Sequence, residues 1–287
     1  MLFSRFEKTI SEYKMFSEGD RVVAAISGGS DSVCMLHLLC RVREKMGIKI
    51  YVAHINHMIR PTASRDEAFV KNLCEKWNIP FYSLHKNVAE IAKHEKISTE
   101  LCGRNIRYAF FEEVLNKTGS RAVLTAHNKN DNAETFLMHL LRGSGSGGLS
   151  GILPVRDNIC RPLLDFTKEE IENYLKEHNV PWVEDETNAL SLYTRNIIRN
   201  EIMPLIRKIN PSAEDAILKA SSSIKADDEF LNSLADKSDA ISEKGINLEK
   251  FSSLPPPLQK RGLISLSREE IPQSLKRQKR SLKGSMA

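Results

Sequence analysis

Along residues 21–143 the apolar positions alternate between two periods. RVVAAIS (21–27) is a near-continuous apolar run of strand length, as a strand covered on both faces requires. SVCMLHLLCRVREKM (32–46) recurs at helical spacing and stops at Gly47. IKIYVAHI (48–55) predicts a second strand, and ASRDEAFVKNLCEKWN (63–78) a helix with Pro80 beyond its end. FYSLHK (81–86) predicts a short strand and TELCGRNIRYAFFEEVLNKTG (99–119) a long helix ending at Gly119. RAVLTAH (121–127) predicts a strand, and NAETFLMHLLRG (132–143) a helix closed by glycine. Strict strand–helix alternation implies right-handed crossovers. The expected fold class is therefore α/β, an open parallel twisted sheet with helices on both faces, followed by a smaller helical region.

The rhythm changes after residue 143. GSGSGGLSGILP (143–154) predicts a flexible glycine-rich connection. TKEEIENYLKEHN (167–179) predicts a helix opened by a capping box, with Thr167 as N-cap and Glu170 three residues on. YTRNIIRNEIMPLIRKIN (193–210) and SAEDAILKASSSIKADDEFLNSLADKSD (212–239) predict further helices. The prolines of SLPPPLQKRG (253–262) predict a junction, and beyond Arg268 no period survives. The expected organisation is an α/β domain over 1–210, a helical region over 211–267 and a disordered basic tail over 268–287.

Composition narrows the class. A chain of 287 residues, 41% hydrophobic and 28% charged, can build a core without staples. It has no apolar run of roughly 18 residues that would span a membrane. The charged start MLFSRFEKTISEYKMF lacks a signal-peptide core. Cys34, Cys40, Cys74, Cys102 and Cys160 are scattered, with no C-x-x-C pair. That argues against a disulfide framework and against a cysteine zinc or iron–sulfur site, and fits a reducing, cytoplasmic location. The net charge of +5 is uneven: from Phe251 onward eight Lys/Arg face two Glu, so that segment is +6 and the rest is −1. Such a tail suits phosphate backbones, or is a solvated end that binds nothing specific.

The candidate chemistry starts at Ser27-Gly28-Gly29-Ser30-Asp31-Ser32. A strand end, two glycines and a helix start make an anion site, because free first-turn N–H groups and the helix dipole face the ligand. Ser27, Ser30 and Ser32 add hydroxyl donors. A carboxylate beside phosphate is repulsive unless a cation lies between, so Asp31 reads as a Mg²⁺ ligand; the alternative is an ordinary βα turn capped by Asp31. No Lys follows as in G-x-x-x-x-G-K-[ST]. His54, His57 and His127 stand at strand ends, where ligands bind in α/β folds, but show no metal-ligand spacing.

S-G-G-x-D-S after a first strand resembles the pyrophosphate-loop ATPases, which cleave ATP to AMP and pyrophosphate and adenylate a carbonyl oxygen. Within that group VAHINHMIRPTASRDEAFV (52–70), RNIRYAFFEEV (104–114), TAHNKNDNAETFLMHLLRGSGSGGLSGI (125–152), RPLLDFTKEEIENYL (161–175) and DETNALSLYTRNIIRNEIMPLI (185–206) are similar to the tRNA(Ile)-lysidine synthetases. The resemblance is continuous over roughly residues 15–210 and weaker to about 265. It implies a ligase that adenylates C2 of the wobble cytidine of tRNA(Ile) and joins the ε-amine of free L-lysine there. It implies ATP and Mg²⁺ as cofactors, tRNA contact by 211–267, and is compatible with a homodimer. It carries over Asp31, Asp131 and Glu134 as catalytic residues, Ser27 to Ser32 as the ATP loop, Asp31 as the metal ligand, and Arg104, Arg107, His127 and Arg195 as substrate-binding residues.

Physical need agrees with several of these. A cationic amino acid requires carboxylates, and Asp131 and Glu134, three apart, share a helix face; the same spacing also fits Asp131 as an N-cap with Glu134 as its capping-box partner. Arg104 and Arg107 could meet a phosphate or a substrate carboxylate as forked donors, or be solvated. One position departs from the family pattern T-A-H-x-x-D-D-x-x-E-T: the first acidic residue is Asn130 here, which keeps an oxygen and loses the charge. Long family members carry further C-terminal domains, and the pattern leaves open whether this chain is a short form, a truncated one or one altered at its end. Two other readings compete: a related ATP-dependent tRNA sulfur-transferase, disfavoured by the missing C-x-x-C, and an inactive basic tRNA-binding protein, suggested by Asn130 and the short end. GMP and NAD synthetases share the loop but do not suit segment 185–206.

Overall fold

The computed structural model describes residues 2–58, 63–184, 194–238, 240–242 and 245–265. The predicted basic tail 268–287, and 185–193 of the segment 185–206, lie outside the described residues. The described residues form two compact units, one within Met1–Met138 and Gly151–Glu214, the other within His139–Ser150 and Asp215–Ala287. Residues 139–150, placed by the sequence pattern with the α/β domain, thus cluster with the second unit.

The first unit runs α1 (Leu2–Glu12), β1 (Arg21–Ala25), α2 (Ser30–Met46), β2 (Lys49–Asn56), α3 (Ala63–Lys76), β3 (Phe81–His85), α4 (Val88–Glu95), α5 (Thr99–Thr118), β4 (Ala122–Leu124) and the start of α6 (Lys129–Leu141). It resumes with the hairpin β5 (Val155–Arg156) and β6 (Ile159–Cys160), then α7 (Lys168–Glu177), α8 (Thr194–Ile197), a π-helical turn over Ile198–Ile202, and α9 (Met203–Ile209). The sheet order is β3-β2-β1-β4-β6-β5, parallel throughout except for the β5–β6 edge hairpin.

Strand periodicity divides the core. Val22, Ala24 and Val52 face one layer with Leu36 and Leu39 of α2 and Ile171 and Leu175 of α7. Val23, Ala53 and Val123 face the other, against Phe110, Phe111 and Val114 of α5. Between β1 and β4 the strand order reverses, which opens a crevice at the carboxyl ends of these strands, where the site lies.

The helix predicted over 193–210 runs unbroken from Thr194 to Ile209, with a π turn inside it. Pro204 has no N–H to donate four residues back, and the Met203 N–H bonds Ile198 O, five residues back. α1 and α4 were not evident from the pattern; Asn87 caps α4 by accepting from the Glu90 N–H at 3.2 Å.

The second unit holds most of α10 (Ala213–Asp236), a small hairpin of β7 (Ile241–Ser242) and β8 (Gly245–Ile246), α11 (Leu248–Ser253) and α12 (Pro256–Ser265) around Ala240, Ile246, Phe251 and Leu263. The proline run lies at the junction of α11 and α12: α11 ends at Ser253, and Pro256 opens α12, where its missing N–H is an orphan in any case. Asp228 of α10 accepts from Arg261 Nη2 at 2.8 Å and Ser146 Oγ at 2.5 Å. Among the described residues no helix is long and apolar enough to cross a membrane.

Candidate active site

The loop after β1 turns on Gly28, whose φ of 102° suits glycine and whose absent Cβ would meet Val70 Cγ2 at 3.4 Å. Ser32 closes the loop: its Oγ accepts from the Ser27 and Gly28 N–H groups, both at 3.2 Å, and donates to Gly29 O at 2.9 Å. Those two amides are therefore committed inside the loop, not presented outward. Gly29 is the N-cap of α2 and has no side chain to bond the first-turn N–H groups, which leaves that turn to an anion.

A cation already stands at this loop, and it comes from a distant segment. Lys168, the first residue of α7, donates to Ser30 Oγ at 2.6 Å and Asp31 Oδ2 at 2.9 Å. The capping box predicted at Thr167 and Glu170 is present and fixes the start of that helix. Burial raises the Asp31 pKa; Lys168 opposes the rise and nearby Asp131 adds to it. Among the described residues, Asp31 Oδ1 is buried without a hydrogen bond of good geometry. An orphaned carboxylate oxygen beside a phosphate-sized anion site fits Mg²⁺, which binds through one or two carboxylates plus substrate phosphates and needs no all-protein cage. No group of three or more His, Cys, Asp or Glu that could hold a metal occurs among the described residues.

Asp131 and Glu134 project from the first turns of α6. Asn128 Oδ1 accepts from the Asp131 N–H at 2.9 Å, and Asp131 Oδ2 accepts from the Asn128 N–H at 3.1 Å. The capping box is therefore Asn128 with Asp131, and Glu134 has no capping role. Glu134 is only 2% exposed. Arg195 reaches Glu134 Oε2 at 3.0 Å and Asp131 Oδ1 at 3.2 Å. Arg199, on the π turn, reaches Glu134 Oε1 at 2.7 Å and Asp131 Oδ1 at 2.8 Å. Burial alone would lower the Arg199 pKa, but Glu134 and Asp131 carry it above the usual value.

Beside this neutral quartet lie cations without a carboxylate partner among the described residues. Arg107 is surrounded by protein yet open to solvent, as a cleft wall is; burial lowers its pKa, and neighbouring Arg104 and Arg195 add to that. Arg104 stacks over Tyr108 at 5.2 Å. Arg161 is buried, donating to Leu153 O at 2.7 Å. His127 sits 3.1 Å from Thr125 Oγ1, and burial pulls its pKa down to about 4, with Arg161, Arg195 and Arg107 pushing the same way against Asp131. It is neutral at neutral pH.

The structure thus brings the loop, Asp131, Glu134 and Arg195 to one end of the sheet. Lys168, Arg199 and Asn128 are site residues that the sequence reading missed. The Arg195–Arg199 spacing of four was an available signal; Lys168 gave none beyond its place after a cap.

A PP-loop domain family matches residues 2–206. The chain is 41% identical over 232 residues to a tRNA(Ile)-lysidine synthase of Clostridium tetani, covering 80% of this chain and 50% of that protein. It is 40% identical over 223 residues to one of Petrotoga mobilis, covering 76% of this chain and 72% of the relative. The chain belongs to the tRNA(Ile)-lysidine synthase family of PP-loop proteins. It spans about half the length of the Clostridium tetani relative and 46% of a third lysidine synthase, from Caldanaerobacter subterraneus, to which it is 44% identical over 216 residues and 73% of its own length. In fold it is similar to a U34-tRNA thiolase from Methanococcus maripaludis, with a TM-score of 0.64 at 18% identity over 78% of each chain. A PP-loop domain implies ATP binding, which agrees with the loop geometry.

Proposed function

We propose that the chain ligates L-lysine to C2 of the wobble cytidine of tRNA(Ile). The C2 oxygen attacks the α-phosphorus of ATP and pyrophosphate leaves. The lysine ε-nitrogen then attacks C2, and AMP departs with the former C2 oxygen. The observation that carries this reading is the meeting of an ATP-type loop and a buried carboxylate pair at adjacent strand ends, β1 and β4.

Each residue has a task in it. The open first turn of α2, Ser30 and the Lys168 ammonium hold the phosphates. Asp31 Oδ1 would hold Mg²⁺, which when bound supplies charge neutralisation on the phosphates. Arg104, Arg107 and Arg161 face anions, either RNA phosphate or the lysine carboxylate. Asp131 and Glu134 accept the ammonium of lysine, and one of them takes a proton from it before the freed amine attacks C2. Arg195 and Arg199 occupy that place here, so they must turn toward phosphate as lysine enters. The exchange keeps every buried charge paired.

The sulfur-transfer reading is weakened by the thiols. All five are buried, and burial raises the pKa of Cys40 and Cys160 to about 11 and that of Cys74 to about 12. Protonated core thiols do not carry sulfur, and free thiols suit a cytoplasmic place of action. The test is incubation with ATP, lysine and tRNA(Ile), followed by mass analysis of nucleosides. A lysine adduct on cytidine is expected; a sulfur adduct, or unmodified tRNA that still binds, contradicts the proposal.

A further inference from the structure

Asn130 replaces an acidic residue of the pattern T-A-H-x-x-D-D-x-x-E-T, and from sequence it reads as a lost charge. Its contacts give it a different task. Asn130 Oδ1 accepts from the backbone N–H of Lys168 at 2.9 Å, and Asn130 Nδ2 donates to Glu214 Oε1 at 3.0 Å. The same Glu214 oxygen accepts from Arg207 Nε at 2.9 Å and Nη2 at 2.5 Å. Glu214 is buried. Only a side chain with both an acceptor and a donor can join these partners. An aspartate at this position would keep the bond to Lys168 but set a second carboxylate against Glu214, with no proton between them.

We infer that Asn130 is a positioning residue, an uncharged joint matched to Glu214 that fixes the first residue of α7 so that the Lys168 ammonium lies at the nucleotide loop. The backbone N–H that Asn130 holds and the ammonium that meets Ser30 and Asp31 belong to one residue. Movement at the joint therefore moves the cation. Asn130 is then part of a working site, matched to its own neighbours, not a mark of decay. The inference rests on the reading that Lys168 addresses ATP phosphates.

The test measures ATP affinity of the whole chain by equilibrium dialysis, beside far-ultraviolet circular dichroism and the lysine requirement, for Lys168→Ala, Asn130→Asp, Glu214→Gln and the double variant Asn130→Asp/Glu214→Gln. Lys168→Ala and Asn130→Asp should each weaken ATP binding by about tenfold, the worth of a hydrogen bond to a charged group. In the double variant the new amide donates to the new carboxylate, so the joint is rebuilt with its donor and acceptor exchanged. Affinity should then return to within about threefold of wild type, the non-additivity expected of partners in contact. The lysine requirement should stay unchanged, which a general loss of stability would not produce. Wild-type ATP affinity in a folded Asn130→Asp, or a folded double variant without rescue, overturns the joint. An unchanged affinity in Lys168→Ala overturns the reading of Lys168 instead, and the joint with it. Should Asn130→Asp not fold, Asn130→Ala serves in its place: weakened ATP binding that Glu214→Gln does not rescue supports the joint, and wild-type affinity overturns it.

Discussion

Asp31 is held where its charge is disfavoured. Burial raises its pKa despite Lys168, so the ionised carboxylate opposes folding at neutral pH while serving the site. Asp31→Asn should leave the melting temperature unchanged or higher and abolish tRNA-dependent pyrophosphate release. A lower melting temperature with chemistry intact would contradict both parts. Glu134 is the opposite case. It balances two guanidiniums, and Glu134→Ala leaves them facing Asp131 alone. Denaturant titration should show a loss of about 3 kcal/mol, and the lysine requirement should rise steeply while the ATP requirement changes little. Equal losses for both substrates would remove Glu134 from lysine binding. At this scale the sequence displays what is contiguous. Ser27 to Ser32 and the Asp131–Glu134 spacing can be read because their neighbours in space are neighbours in the chain. Lys168 cannot, since it reaches Asp31 from 137 residues away.

Elements place these residues through local rules. Gly28 combines a positive φ with close packing on Val70. Gly28→Ala should therefore cost about 1–2 kcal/mol of stability and weaken ATP binding, read by thermal melts and nucleotide titration; an unaffected loop would show that its conformation is not required. The capping box at Thr167 and Glu170 could be read because it spans four residues. The π turn was hidden because Pro204 acts on hydrogen bonds five residues apart, which a 3.6-residue period does not encode. That turn carries Arg199 onto Asp131 and Glu134. The edge hairpin was missed because each strand has two residues, too few to show a period; Asp157, at φ 54°, is its one local signal.

Over the whole molecule, pH tests the burial of the histidines. Burial lowers the pKa of His37, with His178 and Arg41 adding to it. Burial also lowers His54, despite its bond to Ile26 O, and brings His127 to about 4. Burial biases these groups toward the neutral form in the fold, whereas they titrate near 6.5 when unfolded. Their contribution is complete above about pH 6.5 and is lost as pH falls from there toward 4, because the unfolded chain gains protons first. Unfolding free energy should drop on the order of 2 kcal/mol between pH 7 and pH 5; a flat or rising profile would contradict the buried neutral histidines. The alternation of β1 to β4 with helices made the sheet legible, whereas the grouping of 139–150 with 215 onward depends on long-range packing that no local pattern records.

In the proposed function one crevice performs two separable steps, adenylation at the Asp31 loop and amine transfer at Asp131 and Glu134. The most direct measurement supplies ATP labelled at its α-phosphorus with tRNA(Ile) and lysine, and follows label on the tRNA. Glu134→Ala should accumulate labelled tRNA, because adenylation proceeds and transfer stalls, while Asp31→Ala should form none. Labelled tRNA in Asp31→Ala, or none in a folded Glu134→Ala, would contradict the division.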